Sequence, residues 1–171
     1  LCRGQGWARL VIEQSWDFLR DATNPGTRDK WVLQKLHEVR RTGSAKSVLD
    51  VAAGEGPYRS AIIEQGFTYL SHDFNAYTPE VIELGLHNEK WDYLENDFTC
   101  DILDIPESRK FDVVICTEVL EHVPDPVQAF EKLTRLLQPG GKLLITVPLL
   151  SLMHQAPFWF QSGLSPFWFQ H

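Results

Sequence analysis

Hydrophobic residues return along this chain in two rhythms, one suited to helices and one to buried strands. Between Trp7 and Arg20, the residues Ala8, Ile12, Trp16 and Leu19 recur at helical spacing and predict one apolar helix face. Asn24-Pro25-Gly26 reads as a turn. A second helix is predicted over about Arg28 to Arg41, with Val32, Leu36 and Val39 on one side and Gly43 as its stop. The rhythm then changes. Val48 to Val51 reads as a short buried strand, Ala52 to Gly56 as a tight turn of mostly small residues, and Pro57 to Gln65 as a helix opened by proline and closed by Gly66. Phe67 to His72 is the second predicted strand, and Thr78-Pro79 begins a short helix running to about Leu86. Trp91 to Ile102 is less regular and should hold the third strand. Phe111 to Cys116 is an almost continuous apolar run, as expected of a strand covered on both faces. Asp125 and Pro126 cap a helix whose stripe is Val127, Phe130, Leu133 and Leu137; Pro139-Gly140-Gly141 ends it, and Lys142 to Val147 is the fifth strand. Strand, helix and strand in alternation predict an α/β fold. Its sheet would be doubly wound and mostly parallel, with helices on both faces.

In such sheets ligands bind beyond the carboxyl ends of the strands, which directs attention to the residues there. Asp50 lies near the end of the first strand. The turn after it, followed by a helix start, brings backbone N–H groups close to a nucleotide-like ligand. A dinucleotide fingerprint would place a third glycine at position 59, where Arg59 stands, and this disfavours a NAD-dependent oxidoreductase. Asp73 ends the second strand about twenty residues beyond the turn, where a carboxylate can accept from ribose hydroxyls; Phe74 follows it. The net charge of −7 argues against nucleic acid as the main partner, although Arg40, Arg41 and Lys46 cluster locally. Cys2, Cys100 and Cys116 have no metal-ligand spacing and read as reduced thiols in a cytoplasm. No apolar run approaches membrane-spanning length.

Val48-Leu49-Asp50-Val51-Ala52-Ala53-Gly54-Glu55-Gly56 resembles motif I of the class I S-adenosylmethionine (SAM) methyltransferases, usually Asp-x-Gly-x-Gly-x-Gly, with Ala52 replacing the first glycine. Asp101-Ile102-x-x-Ile105-Pro106 resembles the family's Asp-x-x-x-x-Pro element. Thr117 to Pro126 and Leu137 to Lys142 resemble elements of its methyltransferase-11-like group. The resemblance covers about Val48 to Pro148 and implies a Rossmann-like domain that binds SAM and methylates a small-molecule acceptor, most simply at oxygen. It implies a cofactor site of Asp50, Ala52, Gly54, Gly56, Asp73, Phe74, Asp101, Ile102, Thr117 and Glu118. Asp101 would accept from the adenine amino group and Ile102 pack on the ring, with Asp97 and Asp104 as rivals for the acidic role. The chain reads as one domain: a helical extension over 1–45 that either lids the cofactor or covers the sheet edge, a core over 46–148, and an acceptor-side tail over 149–171.

His122 and His154 are the imidazoles nearest the strand ends, as general bases toward a hydroxyl or as structural hydrogen-bonding groups. Glu118, Glu121 and His122 would share one face if helical. Glu-x-x-Glu-His looks like the magnesium-binding element of ubiquinone-pathway and small-RNA O-methyltransferases, and His154 would be a fourth ligand; the alternative is a hydrogen-bonded helix start with no metal. The tail repeats Pro-Phe-Trp-Phe-Gln at 157–161 and 166–170, aromatic residues that must be buried in the core or acceptor pocket, against a partner, or on a membrane, the last disfavoured by the lack of basic residues. The family's seven-stranded sheet exceeds the five strands found, so a C-terminal extension, or else a partner chain covering the open edge, is expected. A homo-oligomer through that edge or the aromatic tail is one form of the latter. A catalytically idle SAM-fold module acting through the aromatic tail is the competing reading.

Overall fold

A computed structural model of the chain describes residues 25–43, 45–77 and 91–170. The helices expected near 7–20 and 78–86 lie outside the described residues. Helix α1 spans Pro25–Thr42. It begins at the proline read as a turn, because proline fits the first turn of a helix, where its missing N–H is not needed. Val32 and Leu36 of α1 are fully buried. Strand β1 is Ser47–Val51, helix α2 Arg59–Glu64, β2 Thr68–Asp73, β3 Phe98–Thr99, β4 Phe111–Thr117, α3 Pro126–Arg135 and β5 Leu137–Thr146. All pairings are parallel and the strand order is β3-β2-β1-β4-β5. This is the doubly wound α/β sheet the pattern predicts.

Alternate residues of the central strands feed two cores. Val48, Val113 and Ile115 face α1 and α2, joining Val32, Leu36, Tyr58 and Ile62. Leu49, Val51, Val114 and Cys116 face α3 and join Ala129 and Leu133. Asp125 caps α3, its Oδ1 accepting from the Val127 and Gln128 N–H groups. Three boundaries differ from expectation. Pro57 lies in the turn, and α2 starts only at Arg59, after the positive-φ Gly56. β3 has two residues rather than a full strand. Pro139-Gly140-Gly141 falls inside β5 as an irregularity between the Phe111↔Leu137 and Val113↔Lys142 pairs, and the strand starts before rather than after it. Gly141 is needed there because a Cβ would meet the Asp112 and Phe111 carbonyl oxygens at 3.1 Å.

Arg40, part of the basic cluster seen in sequence, donates to the Gln65 and Ala45 carbonyls and lies over the Phe67 ring. Cys100 and Cys116 are free thiols. Among the described residues, no helix is long and apolar enough to cross a membrane.

Candidate functional site

The chain must reverse direction after β1, and it does so through three positive-φ residues at alternate positions: Ala52 (54°), Gly54 (55°) and Gly56 (70°). Ala52 adopts the conformation glycine takes freely, at a cost of roughly 1 kcal/mol. The turn is held by β2: the Ala53 N–H donates to the His72 carbonyl at 2.9 Å, and the Gly54 N–H donates to Asp73 Oδ2 at 2.9 Å. The other Asp73 oxygen accepts from the Asn75 N–H. Segment 91–96 lies against the glycines. A Cβ on Gly54 would stand 2.2 Å from the Trp91 ring and one on Gly56 2.3 Å from Leu94. The Leu94 N–H donates to the Gly54 carbonyl.

Beside this turn, at the carboxyl ends of β1, β2 and β4, lies a cavity of about 490 Å³. Asp50, Ala52, Asp73, Phe74, Asp101, Ile102, Thr117 and Glu118 line it, as do His122 and His154. Gly54 and Gly56 do not line it; their role in this geometry is to let Trp91 and Leu94 approach the backbone. Asp50 is buried and accepts from the Tyr69 hydroxyl at 3.0 Å; burial, reinforced by the charge of Asp73, pushes its carboxyl up to about 7. Asp101 caps the helical turn at Ile102–Asp104 through the Leu103 N–H, leaving Ile102 buried in the cavity wall. Asp97 instead accepts from the Ser71 N–H, and neither it nor Asp104 lines the cavity.

The other wall is built by β4 and the tail. Glu118 takes a left-handed conformation (φ 54°), donates its N–H to the Thr146 carbonyl and accepts from the Thr146 hydroxyl at 2.8 Å. Only Leu120–His122 forms a helical turn, so the shared helical face expected for Glu118, Glu121 and His122 does not form. Glu121, His122 and His154 nevertheless each bring one potential ligand atom to within 4.8 Å of the others, and Glu118 is not in that cluster. Glu121 is fully buried with both carboxylate oxygens unpartnered, and burial, with the Glu118 charge, pushes it up to about 8.

His122 Nδ1 faces the Phe158 carbonyl at 2.6 Å and must donate there, so its Nε2 lone pair points toward Glu121 Oε1 at 3.8 Å. Burial, helped by His154, lowers His122 to about 4 and keeps it neutral. His154 Nδ1 donates to the Leu152 carbonyl at 2.8 Å. The two rings meet edge to face at 4.7 Å. Two imidazoles and a buried carboxyl group therefore come together: His122 Nε2 faces Glu121 Oε1, and a proton on Glu121 or a bound cation would satisfy that pair. One carboxylate with two imidazoles suits a transition-metal dication better than Mg²⁺.

The tail is fastened to this wall. The Phe160 N–H donates to the Glu121 carbonyl, Gln161 Nε2 to the Leu120 carbonyl at 2.7 Å, and the Leu164 N–H to the Pro148 carbonyl. Phe158 meets Phe74 edge to face across the cavity, while Leu164, Trp168 and Phe169 pack on the α3-side core. Phe160 and Phe167 are exposed. Sequence reasoning missed Arg28, His72, Trp91 and Tyr93 as cavity residues. The dense aromatics of 91–93 were the one available signal; Arg28 looked like any charged helix residue.

The donor set fits the cofactor implied by the motifs. Asp73 and Asp101 offer carboxylate oxygens at successive strand ends, Ile102 offers an apolar platform, and Arg28 is the one Arg or Lys among the described lining residues, suited to a carboxylate.

A family profile described as a methyltransferase domain (Methyltransf_23) matches residues 27–170. A ubiquinone biosynthesis O-methyltransferase of Coxiella burnetii (strain Dugway 5J108-111) is 29% identical over 138 residues, covering 76% of this chain and 58% of that protein. The chain thus spans about half the length of the curated relatives it matches. The sugar N-methyltransferase KedS8 from Streptoalloteichus sp. ATCC 53650 shares the fold, with a TM-score of 0.53 and 23% identity over 88% of this chain and 60% of that one. So does the plantazolicin methyltransferase BpumL, solved with a desmethyl-plantazolicin analogue and S-adenosylhomocysteine, with a TM-score of 0.52 and 19% identity over 78% of this chain and 51% of that one. With the profile matched over most of its length and the parallel sheet in place, this chain belongs to the class I SAM-dependent methyltransferase family.

Proposed function

We propose that the protein transfers a methyl group from SAM to a hydroxyl oxygen of a small molecule. The observation that carries this reading is the cluster of Glu121, His122 and His154 on the wall facing the turn, Asp73 and Asp101. Bound between those walls, SAM supplies an electrophilic methyl on a sulfonium. Asp73 and Asp101 would hold the ribose and adenine, and Arg28 the methionine carboxylate. The His154 imidazole, oriented by its Nδ1 contact with the Leu152 carbonyl, would take the hydroxyl proton. His122 is pinned by Phe158 and held neutral, and sets the position of the tail beside it. The O-methyltransferase relatives support oxygen as the atom methylated. Ala52 does not break the turn, since it adopts the left-handed conformation itself, and this favours an active enzyme over an idle scaffold.

Titration with S-adenosylhomocysteine, then labelled-methyl transfer to a panel of phenols, alkanols and amines, tests the reading. Selective transfer to hydroxyls, reduced about 10²–10⁴-fold by His154→Gln with cofactor affinity retained, is expected. Transfer to amines alone, or no cofactor binding, would refute it. The unpartnered Glu121 carboxylate favours a second reading, in which the same cluster holds a divalent transition metal that polarises the acceptor. Metal content after dialysis against chelator, with full activity retained, would eliminate the metal.

A further inference from the structure

His72 sits in β2 one residue before Asp73 and is 2% exposed. A buried imidazole in a sheet strand must have partners, and this one joins three neighbouring strand ends. Its Nε2 lies 3.0 Å from the Cys100 carbonyl, immediately before Asp101. Its Nδ1 accepts from the Ala52 N–H at 3.4 Å. Its own carbonyl accepts from the Ala53 N–H. A carbonyl can only accept, so Nε2 carries the proton and Nδ1 the lone pair; one neutral tautomer satisfies both ring contacts. Burial lowers the imidazole's pKa from its ordinary value and favours that neutral form.

The residue it grips is the one that needs gripping. Ala52 holds φ 54° with a Cβ, a conformation an alanine leaves readily unless its surroundings prevent it. Gly54 and Gly56, in the same region of φ, need no such help. We propose that His72 is a positioning residue for the cofactor site: its neutral ring clamps the Ala52 turn to the Asp101 end of β3, supplying by hydrogen bonding the conformation a glycine at position 52 would supply by itself. The inference rests on reading the cavity as the SAM site.

Its test is a double-mutant cycle read by isothermal titration with S-adenosylhomocysteine. His72→Leu in the wild-type background is expected to weaken binding about tenfold, the size of a lost buried hydrogen bond. In the Ala52→Gly background the same change should cost about twofold or less, because the two positions are coupled. His72→Asn, whose amide oxygen can replace the Nδ1 acceptor, should recover most of the wild-type affinity. Equal losses in both backgrounds, or no loss in either, would overturn the proposal.

If His72→Leu does not fold, the cycle is run with His72→Ala against His72→Asn. In addition, the ¹⁵N shifts of the His72 ring in the wild-type protein decide the tautomer: protonated Nε2 is expected, and protonated Nδ1 overturns the clamp. Failure of the wild type to bind the cofactor product would count against the cavity assignment alone. The same cycle read by denaturant unfolding without ligand would then still measure the His72–Ala52 coupling, and zero coupling would overturn the clamp.

Discussion

The two walls of the cavity are made in opposite ways. The cofactor-side wall comes from three adjacent strand ends, and the polar groups at those ends find partners: Gly54 with Asp73, Ala52 with His72, His72 with Cys100, and Asp50 with Tyr69. In the 91–96 segment beside them, Asn96 Oδ1 is buried without one. The acceptor-side wall joins a short turn after β4 to a tail 36 to 41 residues further along the chain. It leaves Glu121 buried with neither oxygen bonded. Both walls keep a non-glycine residue in the left-handed region at a strand end, Ala52 after β1 and Glu118 after β4. On the first wall the strain is surrounded by satisfied hydrogen bonds. On the second it sits beside an unsatisfied carboxylate, as expected where chemistry rather than rigidity sets the residue. A ligand cradle should therefore lose stability and binding together when disturbed, whereas a reactive wall should trade one against the other.

Glu121→Gln breaks the comparison at its most exposed point. Removing a buried, unpartnered carboxylate should raise the melting temperature at pH 8. The rate of methyl transfer should fall about 10²–10⁴-fold if the carboxylate works with His122 and His154. Parallel thermal melts and labelled-methyl assays read both signs, and a fall in both would make Glu121 a structural residue. On the opposite wall Gly54→Val should lower both quantities. A side chain there meets Trp91 and must adopt positive φ, together roughly 2–5 kcal/mol. Relief of the stability loss by adding Trp91→Ala would show that the ring, and not the backbone alone, carries the cost; denaturant unfolding of the single and double variants measures this.

Much of the cofactor side was legible in the sequence because it is local. The short apolar runs at 48–51 and 111–116 read as covered strands, Asp73 fell at the end of β2, and Asp125-Pro126 capped α3 as its chemistry requires. What escaped was the set of contacts between separated segments. His72 looked like an ordinary strand residue, and only the fold brings Ala52 and Cys100 to its two nitrogens. Trp91 lies on Gly54 although 37 residues separate them in the sequence. The facing of Glu118, Glu121 and His122 was argued from helical spacing, but Glu118 completes β4 in a left-handed conformation and so leaves the helical turn. Pro139-Gly140-Gly141 carried a helix-stop signal, yet α3 already ends at Arg135 and β5 absorbs the irregularity through Gly141.

Asp50 tests whether the satisfied wall is satisfied at every pH. Its carboxyl is raised from 3.8 to about 7 by burial, so the folded state prefers it protonated. The stabilisation is fully present below the ordinary carboxylate pKa, declines as pH rises above it, and is lost once pH passes the folded value near 7. Asp50→Asn keeps an oxygen for the Tyr69 hydroxyl and removes the charge. Melts across pH 4 to 8.5 should show the variant growing more stable than the wild type as pH rises, by up to a few kcal/mol at the alkaline end. A constant difference across that range would mean that Asp50 ionises without penalty.

The smallest effect should come from the fastening of the tail. Gln161 Nε2 donates to the Leu120 carbonyl at 2.7 Å, one residue from Glu121 and two from His122, and the side chain is half-buried. Gln161→Ala leaves that carbonyl without the amide and should cost about 1 kcal/mol of stability. Neighbouring ties remain, since the Phe160 N–H still reaches the Glu121 carbonyl and His122 still donates to the Phe158 carbonyl. The tail should therefore stay in place but loosen. If it forms the acceptor wall alone, looseness there raises the KM for the acceptor two- to fivefold, on the order of the same 1 kcal/mol, and leaves the affinity for S-adenosylhomocysteine untouched. Steady-state kinetics with the acceptor varied, beside a cofactor titration, separates the two walls. An equal loss in both measurements would mean that the tail supports the cofactor end as well, and that the division between a rigid cradle and a reactive wall is drawn in the wrong place.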